Sequence, residues 1–106
     1  MWIASKLGFY SIVQKDDGFH VRARNRPDLE RLLTAAAVTA PIQEWPAADY
    51  RWRVILEPTQ LAGVFRALEA SVDYPNFKSE VARHADQTEK LPAYHALWGG
   101  LHQLQK

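Results

Sequence analysis

The sequence contains no cysteine. This absence excludes disulfide bonds, thiolate zinc sites and cysteine nucleophiles, and it fits a protein of a reducing compartment. A long apolar run is also lacking, because no stretch approaches the ~18 residues that a membrane span requires. The opening residues, Met1 to Lys6, lack the order of charged and apolar regions that a secretion signal has. We therefore expect a soluble, cytoplasmic protein with no membrane partner.

Excess charge of either sign is missing too. Thirteen Lys and Arg stand against 12 Asp and Glu, which leaves a net charge of +1. No global field would draw this chain to nucleic acid, so any basic site must be local. What the chain does have is apolar character, since 47% of its 106 residues are hydrophobic. Length and composition predict a single domain over residues 1–106 with one core.

One alternating stretch, from Asp49 to Leu56, organises the predicted fold. Side chains alternate between the two faces of a strand, so one face of this strand is read as core and the other as exposed. The core set is Tyr50, Trp52, Val54 and Leu56. The exposed set is Arg51, Arg53 and Ile55.

A hairpin is predicted earlier in the chain, where Asp16-Asp17-Gly18 separates residues 9–15 from residues 19–25. Two registers are open, and they place opposite side-chain sets on the core face. A turn at Asp17-Gly18 groups Tyr10 and Ile12 with Val21 and Ala23. A type I turn with Gly18 as a bulge groups Phe9, Ser11 and Val13 with Val21 and Ala23. We favour the bulge, because glycine accepts the positive φ that it requires.

Helical patterns fill most of the remaining chain. Prolines at positions 27, 58 and 92 open three predicted helices, and residues 77–84 form a short fourth. The last helix carries a stripe that is read as core, made of Tyr94, Leu97, Trp98, Leu101 and Leu104. Within it, Gly99-Gly100 is a candidate for close approach of another backbone. Trp45, in a loop, is expected to plug the edge of the core.

The predicted topology follows from the order β-β-α-β-α-α, with residues 2–4 as an additional edge strand. A right-handed crossover through the first helix makes the Asp49–Leu56 strand parallel to residues 19–25, with residues 9–15 between them. The predicted class is α+β, with a small antiparallel sheet of three to four strands and helices packed mainly on one face.

Several segments together resemble a family of small uncharacterised bacterial proteins with no known activity. The segments are the opening run from Met1 to Val13, Asp49-Tyr50-Arg51, Tyr74-x-Asn76-Phe77-Lys78 and Tyr94-His95-x-x-Trp98. The resemblance spans nearly the whole chain. It implies a bacterial, stand-alone domain, and it carries no catalytic or binding residue across.

Two groups of residues are candidate binding sites. Arginines alternate along both predicted strands, and guanidinium groups make bidentate contacts to phosphate while an aromatic ring can stack on a base. The first candidate ligand-binding set is therefore Tyr10, Arg22, Arg24, Arg51 and Arg53. Alternatively, these arginines are ordinary solvated side chains. The second candidate set is Tyr74, Asn76, Lys78 and His95, where a helix start and a lysine would hold a carboxylate or phosphate. Its alternative is that Asn76 is a helix cap and Tyr74 is core.

No metal, cofactor or catalytic residue is predicted. Glu80 and His84 have the spacing of two metal ligands, but a site needs a third. No serine lies in a nucleophile-elbow context, and no glycine-rich phosphate loop is present.

Three classes of function compete. The first is a binding or regulatory module that acts through a protein partner or through itself, because an uncovered sheet face with apolar groups beside arginines suits a homodimer. The second is a binder of single-stranded nucleic acid, a nucleotide or another phosphate-bearing ligand through the arginine face. The third is a small enzyme of unknown reaction.

Overall fold

A five-stranded antiparallel sheet is the frame of the first 73 residues. The computed structural model describes residues 1–105, and their contacts divide the chain into two units, Met1–Asp73 and a second that begins at Tyr74. The first unit contains β1 (Trp2–Ala4), β2 (Phe9–Lys15), β3 (Gly18–Ala23), α1 (Arg26–Ala36), β4 (Gln43–Glu44), β5 (Trp52–Leu56) and α2 (Pro58–Ser71). The second contains α3 (Phe77–Ala82), a 3-10 helix (Thr88–Lys90) and α4 (Leu91–His102). The prediction of a single domain stays a prediction.

The predicted α+β class with an antiparallel sheet is confirmed, and so is the edge strand β1. The sheet has five strands, however, and not three to four. Among residues 1–105, no helix is both long enough and apolar enough to cross a membrane.

The predicted topology is wrong about β5. The strands run in the order β1-β2-β3-β5-β4 and every neighbouring pair is antiparallel, so β5 lies beside β3 and opposes it. The cause is β4, which the sequence did not reveal. The chain crosses over through α1 to β4 and then reverses, and β5 enters the sheet between β3 and β4. A two-residue strand between prolines is too short to show alternation, so the extra reversal left no periodic signal.

The favoured hairpin register is also wrong. Lys15 pairs with Gly18 and Ile12 pairs with Val21, which places Tyr10 and Ile12 on the core face. Gly18 does have the expected positive φ, of 131°. The strand pairing nevertheless places Tyr10 and Ile12 on the same face as Val21 and Ala23, which is the grouping of the register that we did not favour. The physical reason is packing. The buried set on β2 and β3 continues directly into Val54 and Leu56 of β5 and forms one apolar layer beneath the helices.

Helices α1 and α2 cover this apolar layer. Leu29 and Leu32 of α1 and Val64 of α2 are fully buried against the sheet. Both helices begin with a proline in the first turn, where a missing N–H costs nothing. The side chain of Asn25 accepts a hydrogen bond from the N–H of Asp28 (2.9 Å) and caps α1.

A buried carboxylate joins α1 to the turn between β1 and β2. Asp28 accepts a hydrogen bond from the N–H of Phe9 (3.1 Å) and forms an ion pair with Arg31. Arg31 in turn donates from Nε to the carbonyl of Leu7 (2.7 Å). These contacts bring Asp28 so close to Gly8 that a Cβ on Gly8 would overlap with Cγ of Asp28. The turn therefore requires glycine at position 8.

The second unit is built on an aromatic contact between its two α-helices. The ring of Phe77 in α3 lies 5.2 Å from that of Tyr94 in α4, and Tyr94 is buried. Glu80, also buried, forms an ion pair with Arg83 (3.1 Å), and its Oε2 lies 2.9 Å from Nε2 of His84. The Glu80–His84 pair is thus a side-chain contact within one local segment.

Candidate functional site

A row of polar residues crosses the sheet face opposite the core. Ser11, Arg22, Arg53 and Gln43 are register partners on four neighbouring strands. Nη2 of Arg22 donates to Oγ of Ser11 at 2.7 Å. Arg22 and Arg53 stand directly opposite one another on β3 and β5, and like charges in that position destabilise a sheet.

The β4–β5 turn, residues 45–51, folds over this row. The ring centre of Tyr50 lies 4.8 Å from Cζ of Arg22 and 4.3 Å from Cζ of Arg24. The Trp45 ring lies 3.8 Å from Cζ of Arg53. Such cation–π contacts attract a guanidinium to the face of the ring. We name Arg22, Arg24 and Arg53 the arginine cluster.

The backbone of the turn strengthens these contacts. Nη1 of Arg24 donates to the carbonyl of Asp49 (2.6 Å), and Nη2 of Arg53 donates to the carbonyl of Tyr50 (3.4 Å). Tyr50 is only 7% exposed and Arg53 only 3%. The turn and the arginine cluster therefore hold each other in place.

His20 connects the cluster to the hairpin turn. Nη1 of Arg53 lies 3.2 Å from Nδ1 of His20, and Nε2 of His20 lies 2.7 Å from Oδ1 of Asp17. A guanidinium only donates, so Nδ1 accepts and Nε2 carries the hydrogen that Asp17 accepts. Both ring nitrogens of this buried histidine are thus engaged. The arrangement orients Arg53 and leaves no basic nitrogen for a substrate.

The charges of the arginine cluster are unusual for this protein. Four other arginines form ion pairs, namely Arg26 with Glu30, Arg31 with Asp28, Arg51 with Glu44 and Arg83 with Glu80. Within residues 1–105, no carboxylate forms an ion pair with any of the three cluster arginines. Burial, and secondly the positive charge of Arg22, lower the pKa of Arg53 below its ordinary value.

The structure brings together only part of the first predicted site. Arg22 and Arg24 lie against the Tyr50 ring, and Arg53 contacts the Tyr50 carbonyl and the Trp45 ring. Tyr10 lies on the opposite face of the sheet, fully buried, and its hydroxyl donates to the carbonyl of Asp28 at 2.6 Å. It was assigned to the arginine face because of the wrong hairpin register. Arg51 is exposed and paired with Glu44 (2.6 Å), away from the cluster.

The second predicted site does not converge on a ligand position. The side chain of Asn76 accepts a hydrogen bond from the N–H of Ser79 (2.9 Å), so Asn76 caps α3. Tyr74 is half-buried beside Phe77 at a ring distance of 6.1 Å. Lys78 lies with Nζ 4.7 Å from the Trp98 ring, and His95 is exposed on α4.

An exposed apolar stripe on the second unit replaces part of the predicted core. Tyr94 is buried as expected, but Trp98, Leu101 and Leu104 are 61%, 59% and 75% exposed. Leu97 completes the set at the border of exposure. The reason is size, because α3 has only six residues and its Phe77 covers only the Tyr94 position. We name Leu97, Trp98, Leu101 and Leu104 the apolar stripe.

The sequence pattern placed two aromatic residues that contact the arginine cluster, Trp45 and Tyr50, in the core instead. Trp45 was expected at the edge of the core, and Tyr50 was placed on the core face by extending the alternation of β5. The strand begins only at Trp52, so the alternation does not apply to Tyr50. The signal that could have located these two residues is the pair of prolines, Pro41 and Pro46, on either side of Gln43–Trp45. Prolines favour a turn, and aromatic residues of a turn can fold back over a strand.

Comparison with known proteins adds no assignment, since no family model, no curated protein and no solved structure matches the chain. Within the described residues, no group of three His, Asp or Glu side chains could hold a metal ion.

Proposed function

We propose that this protein is a small binding module whose apolar stripe docks into a protein partner. The observation that carries the proposal is the exposure of the stripe, where a tryptophan and two leucines on successive turns are each more than half exposed. Scattered apolar side chains are normal on a surface, but a contiguous set marks an interaction surface. Tryptophan is also the residue type most enriched among those that dominate binding energy.

The charges around the stripe indicate the chemistry of the partner. Residues 91–102 contain no Asp or Glu. The ammonium of Lys78 lies over the Trp98 ring, and the His102 ring stacks with the Trp98 ring at a centroid distance of 5.8 Å. The complementary surface is an apolar groove with acidic side chains at its rim. A second copy of this chain is a poorer fit, because two basic stripes would face one another.

The arginine face supports binding of single-stranded nucleic acid less well. Stacking of bases needs accessible aromatic rings, whereas Tyr10 and Tyr50 are buried and the partly exposed Trp45 ring already lies against the Arg53 guanidinium. Arg53 and one nitrogen of Arg24 are also engaged with the β4–β5 turn.

Photo-crosslinking followed by reconstitution tests the proposal. A photoreactive phenylalanine analogue replaces Trp98 in one variant and Phe65, an exposed aromatic residue of α2, in a matched control. We expect a single protein to crosslink from position 98 and not from position 65. The captured protein is then purified, and its affinity is measured by calorimetry.

The decisive comparison is between stripe and control variants. Trp98→Ala should weaken binding of the purified partner by about 30-fold, as expected for a residue worth ~2 kcal/mol. Val72→Ala, which truncates another exposed apolar residue, should leave the affinity unchanged. Equal affinities for both variants would contradict the proposal. Capture of a second copy would establish a homodimer instead, and binding to anionic vesicles alone would establish a membrane surface.

A further inference from the structure

The arginine cluster has an electrostatic requirement that the described chain meets only in part. Arginine stays protonated in proteins, and a buried charge normally has a partner of opposite charge. Arg53 is buried, stands opposite Arg22, and has His20, a carbonyl and an aromatic ring as its direct neighbours. The carboxylate of Asp17 acts on it only from beyond His20, to which it is hydrogen-bonded. Its Nε has no hydrogen-bond acceptor among residues 1–105.

Two of the three guanidinium groups can be reached from solvent. Arg24 is exposed and Arg22 is half-buried, and both lie within 4.8 Å of the same Tyr50 ring centre. The contacts described for them use Nη1 of Arg24, and Nε and Nη2 of Arg22. The other N–H groups of both side chains have no acceptor in the described part of the chain. They are available as donors to an external group.

We propose that the arginine cluster binds a phosphate group, which Arg22 and Arg24 contact directly while Arg53 contributes positive charge from behind. This site lies in the first unit and is separate from the apolar stripe. Guanidinium groups match the oxygens of phosphate in pairs, and three positive charges suit a dianion better than a single carboxylate. The Tyr50 ring beside Arg22 and Arg24 is buried, and the partly exposed Trp45 ring lies against the Arg53 guanidinium. In this proposal the phosphate group alone is recognised.

Binding also explains why the repulsion between Arg22 and Arg53 is tolerated. An anion near both guanidinium groups offsets their repulsion, so the folded state with bound phosphate is more stable than the free one. The gain grows with ligand concentration as the site fills.

Thermal unfolding in phosphate against chloride, at matched ionic strength, tests this site. Inorganic phosphate should raise the Tm of the wild type in a saturable way. In NMR spectra, it should shift the Nε–Hε signals of Arg22 and Arg24. Glycerol phosphate is the second ligand to be measured. Equal affinity for inorganic phosphate and glycerol phosphate indicates recognition of the phosphate group alone, as proposed. Tighter binding of glycerol phosphate would show that the site also contacts the rest of the ligand.

Matched variants separate the site from general salt effects. Arg24→Gln, at an exposed position, should lower phosphate affinity about tenfold or more, as expected for a lost hydrogen bond to a charged group. Arg51→Gln removes an arginine that is already paired with Glu44 and should leave the affinity unchanged. The proposal is wrong if phosphate produces no saturable shift, or if both variants bind phosphate equally. Arg22→Gln is a second test, in which phosphate affinity should also fall. If the half-buried position 22 does not tolerate glutamine and the variant does not fold, Arg24→Gln at its exposed position still decides the question.

Discussion

At the scale of single residues, Asp17 is the group whose ionisation the structure ties most clearly to the fold. Its pKa lies below the ordinary value of 3.8, chiefly because His20 donates a hydrogen bond to its carboxylate. A depressed carboxylate pKa contributes stability that is fully present above the unfolded value. That stability is lost as the pH falls through the folded value.

The lowered pKa of Asp17 predicts how the stability of Asp17→Asn depends on pH. The wild type should be more stable than the variant at pH 5, and the difference should shrink as the pH falls below 3.8. Urea unfolding across this pH range measures it. Asp16→Asn is the control, because the neighbouring Asp16 is exposed and His20 bonds to Asp17. A difference between wild type and Asp17→Asn that does not change with pH would show that the carboxylate and His20 do not interact in solution.

The sequence predicted the wrong sheet face for residues that lie outside a strand or in a strand whose pairing register was open. Arg22 and Arg53 lie on the face opposite the core because alternation within each strand places them there. Arg24, which follows the end of β3, lies beside Arg22 against the Tyr50 ring. Tyr10 was misplaced because a one-residue choice of register moves a side chain to the other face. Tyr50 was misplaced because it precedes the strand whose pattern was extended to it.

At the scale of elements, two glycines make a matched pair for testing helix packing. At Gly8, a Cβ would lie within 2.8 Å of three atoms of Asp28, which is a buried residue of α1. At Gly63, inside α2, a Cβ would make an ordinary contact with Val38 at 3.5 Å.

Alanine at these two glycines should have opposite effects. Gly8→Ala should lower the free energy of unfolding by about 1–3 kcal/mol, because the turn or α1 must move. Gly63→Ala should raise it by about 0.5–1 kcal/mol, because alanine favours a helix over glycine. Urea midpoints measure both. A neutral Gly8→Ala would mean that α1 and the β1–β2 turn are not packed as described.

The elements themselves were largely predictable from sequence, and their connections were not. Proline starts and 3.6-residue periodicity located α1 and α2, and alternation located the three longer strands. The direction of β5 depended on β4, a strand of two residues without periodicity. Exposure of α4 depended on the length of α3, since six residues cover too little of the neighbouring helix.

At the scale of the whole molecule, the two units carry different surfaces. The first has a cluster of arginines that form no direct ion pair among the described residues, and the second has an apolar stripe with basic neighbours. One surface is suited to a phosphate group and the other to a protein.

The most direct measurement is fluorine NMR of protein labelled with 5-fluorotryptophan. Its four tryptophans should give four signals, which single Trp→Phe variants assign. In the free protein, the signals of Trp98 and Trp2 should respond most to exchange of H₂O for D₂O, because these rings are 61% and 69% exposed. On addition of the partner captured at position 98, only the Trp98 signal should become protected. A Trp98 signal that is protected in the free monomer, or that stays accessible in the complex, would contradict the assignment of the apolar stripe as the binding surface.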